Sequence, residues 1–123
     1  MGLDMYAVAL PAEKVQSQTD FKIDDDAMEV HYWRKHPNLH GFMHELYESK
    51  GGTGEDFNMV SVKIEDKDLD ALETAIKEKS LPDTTGFFFG ESDGSEIEDD
   101  LAFIAKARAL ISEGYTIAYY AWW

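Results

Sequence analysis

The chain reads Phe57-Asn58-Met59-Val60-Ser61-Val62-Lys63-Ile64 and continues directly into Glu65-Asp66-Lys67-Asp68-Leu69. The first eight residues alternate in polarity, which predicts a half-buried strand with Val60, Val62 and Ile64 on its core side. Asp66 is a residue type that caps helices, and it precedes an apolar stripe of helical period formed by Leu69, Leu72 and Ile76. A strand that passes into a helix, here ending near Lys79, indicates a domain that combines both kinds of element.

Five further segments complete the predicted order of elements. Apolar runs predict strands at residues 1–10, within 86–90 and at 115–122, and helical periodicity predicts helices within 32–49 and at about 96–113. The polar residues 12–26 predict a surface loop. The sequence therefore predicts an α+β fold in one domain, residues 1–123, with an antiparallel or mixed sheet of about four strands and three helices packed mainly on one face.

The helical stripes also predict core residues. In the first helix the stripe consists of Leu39, Phe42, Met43, Leu46 and Tyr47, and the third helix contributes Ile104 among others. Truncation of such residues is expected to destabilise the fold. The polar residues Glu13, Lys50 and Asp93 are expected to tolerate replacement.

Composition restricts the classes of function. The 123 residues carry 25 acidic and 11 basic side chains, a net charge of −14, and no cysteine. Disulfides, thiolate chemistry and cysteine-ligated metals are therefore excluded, and direct nucleic-acid binding is disfavoured because phosphates require a basic surface. The first eleven residues resemble neither a signal peptide nor a membrane span, so the expected location is the cytoplasm, without membrane association.

One cluster of residue types is unusual in so acidic a chain. Within residues 32–40, Trp33, Arg34, Lys35 and His40 combine aromatic stacking surface with cations, and a helix start nearby adds backbone donors for an anion. Alternatively, Tyr32 and Trp33 belong to the core while the two cations pair with carboxylates, and Arg34 neutralises a buried Asp4. The predicted ligand-binding set is Tyr6, Trp33, Arg34, Lys35 and His40.

Three histidines of the first predicted helix form a candidate metal site. His36, His40 and His44 recur every four residues, but successive steps turn by about 40° around the helix, so three of them do not easily share one ion. The run from Asp24 to Asp26 lacks the rest of a calcium-loop pattern. We therefore expect no metal and no cofactor, and no catalytic set is predicted. His40 alone is a candidate general base.

Four patches carry a resemblance to a known group of proteins. They are Met1-Gly2-Leu3-Asp4-Met5-Tyr6, the run Tyr32-Trp33-Arg34-Lys35 with His40, Leu81-Pro82 with Gly86-Phe87-Phe88-Phe89-Gly90, and the closing aromatic run that ends in tryptophan. Together they resemble a group of small phage and prophage proteins that has no agreed activity. Some members are labelled phosphoglycerate kinase, but this chain is too short for that two-domain kinase and lacks its nucleotide-site glycines. His36 and His44 fall outside the group's pattern, which further weakens a metal site.

Three hypotheses about function follow. The first is a non-enzymatic phage or prophage accessory protein that binds a small anionic, nucleotide-like ligand. The second is an acidic inhibitor that binds a basic or nucleic-acid-binding host protein. The third is a small enzyme with His40 as base and Arg34 as anion clamp. Whether Arg34 and His40 face a concave site or carboxylates discriminates among them.

Overall fold

A computed structural model describes residues 3–15, 17–23, 27–54, 57, 60–82, 84 and 96–122. The described elements, in chain order, are strand β1 (Asp4–Pro11), a single 3-10 turn (Ala12–Lys14), strand β2 (Met28–Arg34), helix α1 (Pro37–Ser49), strand β3 (Ser61–Ile64), helix α2 (Asp66–Lys77), helix α3 (Ile97–Ser112) and strand β4 (Tyr115–Trp122). The strands form one antiparallel sheet in the order β2-β1-β4-β3. The predicted α+β fold is confirmed.

The main core lies between the sheet and the three helices. Met5 and Ala7 of β1, with Ile117 and Tyr119 of β4, project to this side and are fully buried. The helices cover them with Leu39, Met43, Tyr47, Leu69, Leu72, Phe103 and Ile104. Because side chains alternate along a strand, the neighbouring residues of β1 and β4 face the other way. We call the side that carries them the open face.

Helix α1 begins near the predicted residue but packs in a slightly different orientation. Pro37 occupies the first turn, where its missing N–H costs no helical hydrogen bond. Leu39, Met43 and Tyr47 are fully buried, whereas the predicted core residues Phe42 and Leu46 are only partly buried at the edge of the core. None of the described helices is long and apolar enough to cross a membrane.

Two segments differ from the sequence-based prediction. Residues 32–34, which lie in the range predicted to contain the first helix, belong to strand β2, which was not predicted. Within the predicted strand at 57–64, Ser61–Ile64 form β3, while Phe57 and Val60 lie outside it and residues 58 and 59 are not among the described residues. The strand predicted within 86–90, the first two residues and the acidic run 24–26 lie outside the described residues.

Residues 17–23 form a strap across part of the open face, where a free surface loop was predicted. The strap pairs with β3, because the N–H of Asp20 donates to the Ser61 carbonyl (2.9 Å) and the N–H of Lys63 donates to the Gln18 carbonyl (2.9 Å). Its apolar residues Phe21 and Ile23 pack on a second small core that contains Val8, Leu10, Val15 and Ala118. The strap therefore covers the part of the open face that carries Val8 and Leu10, while Tyr32 and Trp122 on the other part are exposed.

The expectation that Lys50 is a replaceable surface residue is wrong. Its side chain is only 8% exposed, and Nζ lies 2.6 Å from Asp68 Oδ2 and 3.2 Å from Glu65 Oε1. Nζ also donates to the backbone carbonyl of Lys63. Lys50 thus joins the end of α1 to the capping box that starts α2.

Candidate functional site

The uncovered part of the open face is rich in aromatic side chains. The antiparallel register places Tyr6 of β1 opposite Tyr32 of β2 and Tyr120 of β4, and places Asp4 opposite both Arg34 and Trp122. Partners directly opposite one another share a face, so these residues form one continuous surface. We call Tyr6, Tyr32, Tyr120 and Trp122 the open-face cluster.

The cluster is ordered by ring contacts and yet remains accessible. The Tyr6 and Tyr120 rings stack with centroids 5.0 Å apart, and the Tyr32 ring lies 5.2 Å from that of Tyr6. Tyr32 is 43% exposed and Trp122 47% exposed. Exposed aromatic side chains of β2 and β4 therefore lie on either side of the half-buried Tyr6 of β1.

A groove of about 700 Å³ runs beside the cluster. Tyr6, Tyr120 and Trp122 form part of its wall, and the strap forms another part through residues 20–23. Among the described residues, the charged side chains that line it are those of Asp20, Lys22 and Glu29. The Asp20 carboxylate already accepts a hydrogen bond from the Tyr47 hydroxyl (2.6 Å), which fixes the strap at this point.

Asp4 connects the cluster to the predicted cation. The Tyr32 hydroxyl donates to Asp4 Oδ1 (2.5 Å), and Arg34 Nε lies 3.8 Å from the same oxygen. The hydrogen bond to Asp4 raises the pKa of Tyr32 to about 12. Arg34 and Asp4 are thus neighbours, as one alternative predicted, but the Arg34 side chain is 55% exposed. A pair so open to water contributes less than about 1 kcal/mol to stability.

Trp33 and His40 lie on the helix side of the sheet. Trp33 is buried, and its indole N–H donates to Asp100 Oδ1 (2.9 Å), while Asp100 Oδ2 lies 2.8 Å from His36 Nε2. His40 Nδ1 lies 2.7 Å from the Tyr119 hydroxyl. Burial, with a smaller contribution from His44, lowers the pKa of His40 to about 3, and burial raises that of Tyr119.

The five predicted ligand-binding residues therefore do not share one surface. Tyr6 and Arg34 both lie on the open face, whereas Trp33 and His40 are buried on the helix side of the sheet. Lys35 is exposed in the turn after β2, with a left-handed backbone (φ +57°).

Compared with protein-family models, curated proteins and solved structures, the chain matches none of them. Nor does the described part of the chain group three or more histidine and carboxylate residues in a way that could hold a metal ion.

Sequence reasoning missed several residues of this surface. Tyr120 and Trp122 were predicted to lie in the last strand, but the side of the sheet that they face was not predicted. Lys22 and Glu29 were not among the predicted site residues. The usable signal was the alternation within β4, where Ile117, Tyr119 and Ala121 mark the core side. That alternation assigns the intervening residues, Tyr120 and Trp122, to the opposite face.

Proposed function

We propose that this chain is a non-enzymatic binding protein that takes its ligand on the open-face cluster and in the adjacent groove. The resemblance to phage and prophage proteins makes it, within this proposal, an accessory protein of that kind. The observation that carries the proposal is the exposed aromatic surface of Tyr32 and Trp122 beside a groove of about 700 Å³.

Exposure of large aromatic side chains to water is unfavourable in free energy, and a bound ligand that covers them removes this cost. Contiguous apolar surface on a soluble protein is typical of an interaction site. Tyr and Trp add hydrogen-bonding edges to a large contact area, which is why they are enriched in binding surfaces. The groove has the volume of an ordinary ligand site.

The small-enzyme hypothesis receives no support from this geometry. His40 and Arg34 lie on opposite sides of the sheet, so they do not face one reacting group. With a pKa of about 3, His40 is also a poor proton acceptor near neutral pH.

Two ligand classes remain for this surface. A small anionic ligand would stack on the aromatic rings and use Lys22 and Arg34, whereas a basic protein segment would use Asp4 and Glu29. In both cases the ligand binds at the same site, and the protein has the same non-catalytic role.

Thermal-shift measurements test the proposal. A panel of nucleotides and of short basic peptides is added to the wild type and to Trp122→Ala. We expect one class to raise the melting temperature of the wild type by several degrees and to lose this effect in the variant, since a ligand that binds only the folded state stabilises it. Stabilisation by neither class, or stabilisation that survives Trp122→Ala and is lost in His40→Gln, would contradict the proposal.

A further inference from the structure

We propose that the open-face cluster, together with Asp4 at the edge of the groove, binds an arginine side chain presented by a basic segment of a partner protein. This inference rests on the proposed function and specifies the ligand of the same site. Three features of the site support it: the charges around the groove, the exposed aromatic rings and the surroundings of Asp4.

The charges at the site favour a cationic ligand. Among the residues that the structure describes, three carboxylates, those of Asp4, Asp20 and Glu29, border the groove and the cluster, against the two cations Lys22 and Arg34. The whole chain adds a net charge of −14. A phosphate would approach against this field, whereas a basic segment is attracted and oriented by it.

The aromatic surface selects arginine among cations. A guanidinium is planar, only weakly hydrated, and stacks on the faces of tyrosine and tryptophan, while the ammonium of lysine is compact and strongly hydrated. Trp122 and Tyr32 offer exposed rings on either side of Asp4, one from β4 and one from β2. An arginine that stacks there meets a carboxylate within reach of its N–H groups.

Asp4 retains the capacity to accept such a partner. Oδ1 accepts the hydrogen bond from Tyr32, and the distance of 3.8 Å to Arg34 Nε is longer than a hydrogen bond. A carboxylate has about four acceptor positions, so Asp4 can receive further N–H donors.

Isothermal titration calorimetry on the full chain tests the inference with three hexapeptides that alternate glycine with arginine, lysine or glutamate. We expect the arginine peptide to bind, the lysine peptide to bind about fivefold or more weakly, and the glutamate peptide not to bind. Higher salt should weaken binding of the arginine peptide, because the interacting charges are exposed.

Matched variants locate the binding. Trp122→Ala and Asp4→Asn should each weaken the arginine peptide about tenfold or more, as central contact residues do. Tyr115→Ala removes an exposed aromatic ring at the opposite end of β4, and Glu113→Gln removes one charge at the end of α3, so each should change affinity by less than about twofold. Asp4→Asn preserves side-chain shape, so the test does not depend on the folding of Trp122→Ala.

Other outcomes overturn the inference in distinguishable ways. Equal binding of the arginine and lysine peptides, or equal losses in Asp4→Asn and Glu113→Gln, would indicate diffuse charge attraction only. If adenosine monophosphate binds and Trp122→Ala abolishes its binding, while the arginine peptide does not bind, this inference fails and the proposed function stands. If neither the peptides nor the nucleotides bind, both fail.

Discussion

At the scale of single residues, the hydrogen bond between Tyr32 and Asp4 is the most specific feature of the open face. Asp4 stabilises the protonated phenol, so the pKa of Tyr32 rises from its usual value near 10 to about 12. Because the folded-state pKa lies above the unfolded one, this contribution to stability is complete below pH 10 and disappears as the pH rises through about 12.

We predict that Asp4→Asn lowers the pKa of Tyr32 from about 12 toward 10. The carbon-13 shift of the Tyr32 Cζ atom, followed against pH, measures it. Glu29→Gln is the matched control, since it removes a carboxylate of the same face that is not bonded to Tyr32. Identical titration curves in the wild type and in Asp4→Asn would mean that the hydrogen bond does not form in solution.

One of two alternatives from the sequence paired Arg34 with a buried Asp4; the two are neighbours, but the Asp4 side chain is 29% exposed. The sequence-based reasoning did not predict which side of the sheet each residue faces. The reason is that Trp33 and Arg34 were treated as the approach to a helix, where adjacent side chains can serve one site. In the extended strand β2 the two side chains point to opposite faces. Because β2 was not recognised, two residues that lie on opposite faces of the sheet, the buried Trp33 and the exposed Arg34, were assigned to one site.

At the scale of elements, the junction of α1, β3 and α2 depends on Lys50. Its ammonium is buried with Asp68, whose Oδ2 also accepts the backbone N–H of Glu65 in the capping box. Lys50→Met keeps the apolar stem but leaves the carboxylate of Asp68 buried without its cation. Because removing one partner of a buried pair strands the other, we expect a loss of about 3–5 kcal/mol.

Urea denaturation of Lys50→Met measures this loss, and Lys67→Met is the control. Lys67 is an exposed lysine of the same helix α2, so its replacement should change the free energy of unfolding by less than about 0.5 kcal/mol. Unfolding midpoints that coincide for Lys50→Met and the wild type would mean that the ion pair is not formed or contributes nothing.

The elements themselves were predictable to different degrees. Helical periodicity identified α2 and α3, and the part of the predicted strand that forms β3 was recognised because the apolar Val62 and Ile64 alternate with polar residues. The edge strand β2 was missed because its sequence, Met28–Arg34, mixes charged and aromatic residues without clear alternation, and a register shift interrupts its pairing with β1. The strap was missed because its pairing with β3 uses backbone groups, which no side-chain pattern encodes.

At the scale of the whole molecule, the net charge of −14 acts on stability as well as on binding. Like charges repel more strongly in the compact chain than in the unfolded one, so folding is opposed by self-repulsion. Salt screens this repulsion between exposed groups, with a Debye length of about 10 Å at 0.1 M. The exposed carboxylate of Glu113 adds a local penalty, because it lies at the C-terminal end of α3, where the helix dipole is negative.

We therefore predict that the melting temperature rises as potassium chloride is increased from about 20 mM to about 300 mM, the range over which screening becomes effective.

Glu113→Lys should be more stable than the wild type by about 0.5–1 kcal/mol at the low salt concentration, because it reduces the net charge and complements the dipole. This advantage should shrink at high salt. Glu45→Lys, an exposed change of the same net charge within α1, separates the two causes, since it relieves the general repulsion without the favourable position at a helix end. A melting temperature that falls with added salt would mean that the attractive pairs, such as those of Lys50 and Arg108, outweigh the repulsion.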